Sequence, residues 1–103
     1  MKRALLTTGM IAMLGVFSTP YAAGDAAAGK AKAGVCAGCH GANGEGKKPY
    51  PALAGKPADQ IEQALKDYKS GKRANGVMKS FASNLSESDM DNLAAYYSSL
   101  KGN

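Results

Sequence analysis

The sequence predicts an all-α fold, a single small domain of about four helices and connecting loops. Three observations point to it. Apolar residues recur at helical spacing in two stretches, Ile61, Leu65 and Tyr68 in one and Met90, Leu93, Ala94, Tyr97 and Leu100 in the other. Glycine and proline gather between periodic segments, at Gly41, Gly44, Gly46, Pro49 and Pro51. No alternating β-branched run competes with the helical pattern.

Residues 1–22 read as a secretory leader. Lys2 and Arg3 form its positive start, and Ala4 to Phe17 is an apolar run broken by Thr7, Thr8 and Gly9. The small-residue stretch around Pro20, Ala22 and Ala23 places cleavage after Ala22 or Ala23. The apolar run is too short to span a bilayer, so no stable membrane insertion is expected after processing. Residues 23–103 are then one domain of about 80 residues, a size at which a core usually needs a staple. Losing Lys2 and Arg3 takes thirteen basic residues to eleven against eight acidic ones, a net charge of +3.

Asp25 is a cap residue for a first helix rich in alanine and lysine, running towards Val35. Gly29, Ala33 and Gly34 leave room for another helix to come close. Gly41 to Pro51 reads as an irregular loop, in which Asn43-Gly44 marks a turn without flanking strands. The pattern leaves a short helix around Leu53 to Gly55 open. The next clear helix starts near Pro57, which suits a first helical position, and stops at Gly71. Lys72 to Lys79 reads as a loop. Ser86 caps the last helix, with Asp89 as an acidic partner in a capping box and Leu85 meeting Met90 as a hydrophobic staple.

The chemistry concentrates in Cys36-Ala37-Gly38-Cys39-His40. Two thiols separated by two residues, with an imidazole directly after, match the covalent attachment site of a c-type haem. On a helical turn both sulfurs lie near one face, within reach of two vinyl groups, and the histidine supplies an axial nitrogen to the iron. Other uses of this pentapeptide fit poorly. A thioredoxin-like pair needs a strand before it. Structural zinc needs four ligands, and the chain has two cysteines and one histidine. A disulfide leaves His40 unexplained. Export agrees with this chemistry, and a covalently held porphyrin supplies the missing staple.

Two methionines compete for the second axial position. Met90 is accounted for by the staple and the apolar stripe. Met78 lies 38 residues after His40, enough chain to pass around the edge of the disc, and is the expected iron ligand, with Lys79 the minor alternative. An imidazole and a neutral thioether raise the reduction potential and close the iron to other ligands. His40 needs its second nitrogen held, and the Pro51 carbonyl is the candidate acceptor.

The ordered set of Cys36 to His40, Pro51-Ala52-Leu53-Ala54-Gly55, Gly71-Lys72-Arg73, Met78 and Leu93-Ala94-Ala95-Tyr96-Tyr97 resembles a class I c-type cytochrome. It is most similar to the small bacterial cytochrome c-553 group and to single halves of related dihaem cytochromes. The resemblance implies one haem c, bound through Cys36 and Cys39, with His40 and Met78 on the iron. It also implies that Leu53 lines the pocket, that Arg73 approaches a propionate, and that Gly29 lets Tyr96 pack close where the terminal helices cross. This chain has one haem motif where the dihaem relatives have two, so a second haem could come only from another chain.

The function expected is that of a soluble periplasmic monohaem carrier of single electrons in a respiratory chain, a monomer and not an enzyme. Its donor would be a membrane quinol-oxidising complex and its acceptor a terminal oxidase, a reductase or another cytochrome. Two rivals stay open, a haem-based sensor or small peroxidase-like enzyme with a free sixth site, and a subunit of a larger redox enzyme. Basic residues bunch between Lys47 and Lys79, an asymmetry that steers docking to acidic partners. The absence of a concentrated basic stripe argues against nucleic acid.

Overall fold

The structure, a computed structural model, describes residues 24–101. The leader read at residues 1–22, its cleavage point and the last two residues lie outside that range. Among the described residues there are five helices, α1 Ala26–Lys32, α2 Gly34–His40, α3 Ala58–Ser70, α4 Gly76–Ala82 and α5 Glu87–Ser99. No strand accompanies them; Lys47 and Tyr50 form an isolated bridge within the long loop after α2.

Local chemistry sets the helix ends. The Asp25 carboxylate accepts from the Ala27 and Ala28 N–H groups and starts α1. The first helix does not run unbroken into the cysteine motif as the sequence predicts. Ala33 closes α1 by donating to the Gly29 and Lys30 carbonyls, and α2 restarts at Gly34, a residue with little preference for continuing a helix. Gly41, at φ 97°, ends α2, and Gly71, at φ 86°, ends α3 in the left-handed conformation that favours glycine. Pro57 sits one position before α3. Leu53 to Gly55 forms a turn and no helix.

The expected loop from Lys72 to Lys79 is half helix. Asn75, in extended backbone, accepts from the Val77 and Met78 N–H groups and initiates α4. Met78 therefore projects from a capped helix, a firmer platform than a loop. The Lys69 ammonium donates to the Leu85 carbonyl at 2.5 Å and ties α3 to the turn after α4.

Ser86 and Asp89 form the reciprocal capping box of α5, each side chain bonding the other's backbone N–H at 3.0 Å. These bonds and nearby Lys32 lower the Asp89 pKa, the Ser86 backbone bond most. A depressed folded pKa means that this contribution is present above the ordinary carboxylate range and is lost as pH falls through the lowered value. Ser86→Ala should cost about 1 kcal/mol, read as a lower denaturant midpoint at unchanged slope.

Ile61 and Leu65 of α3, Leu85, and Met90, Leu93, Ala94 and Tyr97 of α5 build the core, with Ala33 beside them. Met90 and Leu93 are its largest fully buried side chains. α3 packs on α5 and α4, and α1 crosses α5. At that crossing a Cβ on Gly29 would overlap the Asn92 carbonyl oxygen and lie 2.8 Å from Tyr96 Cβ. The crossing exists because position 29 has no side chain. Met90→Leu keeps the volume, and should cost about 1 kcal/mol in thermal unfolding with the visible spectrum unchanged.

Candidate functional site

One face of this core is open. A cavity of about 210 Å³ lies between α2, α3, α4 and α5, walled by Leu53, Ile61, Ala64, Leu65 and Leu93 and reached by Cys36, His40, Met78 and Tyr97. A smaller cavity of about 50 Å³ adjoins it nearer the surface, lined by Val35, Cys39, Tyr50, Val77 and Phe81. The two share Cys36, His40, Asn75 and Met78, so together they make a slot from the core to solvent between α2 and α4.

His40 closes α2 and is buried, 7% exposed. Its Nδ1 is 2.7 Å from the Pro51 carbonyl oxygen. A carbonyl only accepts, so Nδ1 carries the hydrogen and Nε2 keeps a lone pair for a metal. The loop that presents Pro51 is fixed by its own backbone. Gly46 donates to the His40 carbonyl at 2.7 Å, and Leu53 and Ala54 both donate to the Gly44 carbonyl. At Gly46, φ 86°, a Cβ would sit 2.8 Å from the Ala52 nitrogen, so the close fold-back requires glycine. The Tyr50 ring meets His40 edge-on at 6.3 Å.

Cys36 and Cys39 are free, half-buried thiols on α2. Burial pushes the Cys36 thiol up; a hydrogen bond from Tyr97 opposes the shift and Cys39 adds to it. Met78 is half-buried, packs against the core and lines both parts of the slot. Leu53 packs on the core and lines the inner cavity. Arg73 lines it as well, its guanidinium 4.9 Å from the centre of the Tyr68 ring. All seven site residues expected from sequence therefore border the slot, Cys39 in its outer part. Met90 borders neither part.

Several neighbours were not singled out from sequence. Lys56 and Gln60 join Arg73 in lining the inner cavity and bring polar and positive groups to it. Asn75 borders both parts, and its place before Gly76-Val77-Met78 is a cap signal in the sequence. The exposed large hydrophobics of the described residues, Val35, Tyr50, Val77 and Phe81, all line the outer cavity. No periodicity marks that rim.

The donor set fits a covalently held haem. Two thiols share one helix beside the slot, an imidazole has its second nitrogen free, a thioether borders the same space, and the inner wall is apolar. Among the described residues no cluster of three or more His, Cys, Asp or Glu side chains could hold a bare metal ion instead.

The cytochrome c family model matches residues 26–101. The chain is 42% identical over 97 residues to cytochrome c4 of Pseudomonas aeruginosa, covering 93% of this chain and 48% of that protein. It is 47% identical over 81 residues to cytochrome c-554(548) of Halomonas halodenitrificans, covering 75% and 98%. The crystal structure of reduced recombinant cytochrome c4 from Pseudomonas stutzeri superposes with a TM-score of 0.73 at 37% identity, over 78% of this chain and 47% of that one. The chain thus spans about half the length of the cytochrome c4 proteins it matches. With the match running through all five helices and the haem motif, the chain belongs to the cytochrome c family, which implies a covalently bound haem c and its iron.

Proposed function

We propose that this chain is a periplasmic monohaem electron carrier, passing single electrons between redox proteins of a respiratory chain. The observation that carries the reading is the pair of donors bordering one slot, His40 with its Nε2 lone pair left free by the Pro51 bond, and Met78 on a capped helix. With His40 and Met78 both holding the iron, no place would be left for a substrate. Haem c, when bound, supplies a reversible Fe(III)/Fe(II) couple.

The chain's own residues do the rest. Cys36 and Cys39 fasten the group by two thioethers and fix its orientation. The Pro51 carbonyl holds the His40 ring and makes its free nitrogen more basic. The neutral Met78 sulfur favours the ferrous state. Leu53, Ile61 and Leu93 keep water from the inner face. Arg73 and Lys56, which line the inner cavity, would meet propionate carboxylates. The exposed rim of Val35, Tyr50, Val77 and Phe81 is the docking edge, with Lys47, Lys48 and Lys79 near it in sequence. Contact with a quinol-oxidising donor and an oxidase or reductase acceptor would be small and brief. Residues 1–22 are proposed to direct export and residues 23–103 to form the working domain as a monomer. Among the described residues no helix is long and apolar enough to cross a membrane.

The test is carbon monoxide added to the reduced, matured protein. An unchanged visible spectrum is expected, because Met78 would hold the iron against other ligands. Formation of a carbonyl complex would overturn the carrier and point to a sensor or a peroxidase-like enzyme.

A further inference from the structure

Arg73 is an exposed cation at the edge of an apolar cavity, and its place there follows from how α3 ends. Gly71, in the left-handed conformation, turns the chain back on the helix. The Gly71 N–H donates to the Tyr68 carbonyl at 3.2 Å and the Arg73 N–H to the Asp67 carbonyl at 3.1 Å. This reversal brings the Arg73 guanidinium over the Tyr68 ring, 4.9 Å from its centre. Two environments compete for that side chain. Tyr68 lines the inner cavity, whereas Arg73 borders both that cavity and an open groove along α3 bearing Asp59, Glu62 and Asp67. Attraction to three carboxylates favours the groove. Yet among the described residues no carboxylate pairs with Arg73, and Asp67 accepts instead from the Gln63 side chain at 2.9 Å. The guanidinium lies on the face of the ring.

We propose that Tyr68 is a positioning residue of the haem site, its ring face holding the Arg73 guanidinium at the inner cavity and away from the carboxylates of the groove. The inference rests on the haem reading above. A cation over an aromatic face is attracted by the ring quadrupole, and the guanidinium keeps N–H donors for a propionate carboxylate. An exposed arginine gives up much rotamer freedom to reach one place, and a ring that orients it beforehand lowers that cost. A cation held near the iron disfavours the ferric state, which carries one more positive charge, so the arrangement raises the midpoint potential. Packing on the apolar stripe of α3 requires an apolar residue at position 68 and does not require an aromatic face.

The experiment is redox potentiometry at low ionic strength on holoproteins whose haem content has first been confirmed by mass. Arg73→Gln removes the cation and should lower the midpoint potential. Tyr68→Leu keeps an apolar side chain and removes the ring face; its potential should fall in the same direction, by no more than in Arg73→Gln. In the Arg73→Gln background Tyr68→Leu should shift nothing further, because the ring then has no cation to hold. Tyr68→Phe keeps the face and should keep the wild-type potential. If Tyr68→Leu does not mature, pentafluorophenylalanine placed at position 68 has a closely similar volume and a reversed quadrupole, and should lower the potential. A wild-type potential in Tyr68→Leu, in the fluorinated protein or in Arg73→Gln overturns the proposal. So does an equal fall for Tyr68→Leu with and without Arg73, the mark of a packing role. Wild-type protein without haem would instead defeat the haem reading itself.

Discussion

Met78→Ala is expected to open the iron. The variant should still carry covalent haem, because Cys36, Cys39 and His40 are untouched. Its reduced form should bind carbon monoxide where the wild type does not, and its midpoint potential should fall with the loss of the neutral thioether. The structure sharpens this expectation. Asn75 caps the turn that carries Met78, so the side chain is presented by ordered backbone at 3.0 Å from its cap. Met78 is only half-buried, so the packing loss should be about 1–2 kcal/mol, below the cost of truncating a fully buried methionine. A variant with the wild-type spectrum and no affinity for carbon monoxide would move the ligand elsewhere, with Lys79 the next residue to replace.

Gly29→Ala is expected to destabilise the fold strongly. The added carbon meets the Asn92 carbonyl oxygen, a backbone atom that no rotamer change can move aside. α1 must lift from α5, and with it the start of the chain that leads into α2. Overpacking of this kind costs about 2–3 kcal/mol. For a domain this size that corresponds to a fall in thermal midpoint of roughly 10 °C or more. Circular dichroism melts of the two holoproteins give the comparison. A midpoint within a degree of the wild type would show that the helix crossing tolerates a side chain.

The parts of this molecule legible in its sequence are those where chemistry or periodicity leaves few alternatives. Cys36 to His40 stands out because two thiols and an imidazole at that spacing have few other uses, and the family match agrees with that use. α5 was equally plain, since the Ser86–Asp89 box and the stripe from Met90 to Tyr97 agree on one register. α4 was hidden because Gly76, the residue after the cap, reads as loop, and only the Asn75 side chain shows that a helix begins there. The break at Ala33 was hidden for a related reason, as an alanine-rich run gives no cap to mark where one helix ends. The slot itself is assembled from α2, the loop at Pro51 and Leu53, α3, α4 and α5, and no local pattern reports such a meeting.

The apolar rim shows where exposure departs from periodicity. Val35 and Val77 are 62% and 59% exposed. Both border the outer cavity with Cys39, beside the space the donor set leaves for a haem. A reader of periodicity alone would assign them to a core they do not enter.

Mass analysis of the peptide spanning Cys36 to His40, taken from protein matured after export, addresses the central claim most directly. A peptide heavier by one haem is expected, with neither cysteine open to alkylation. An unmodified peptide with two reactive thiols, recovered from folded and functional protein, would contradict it.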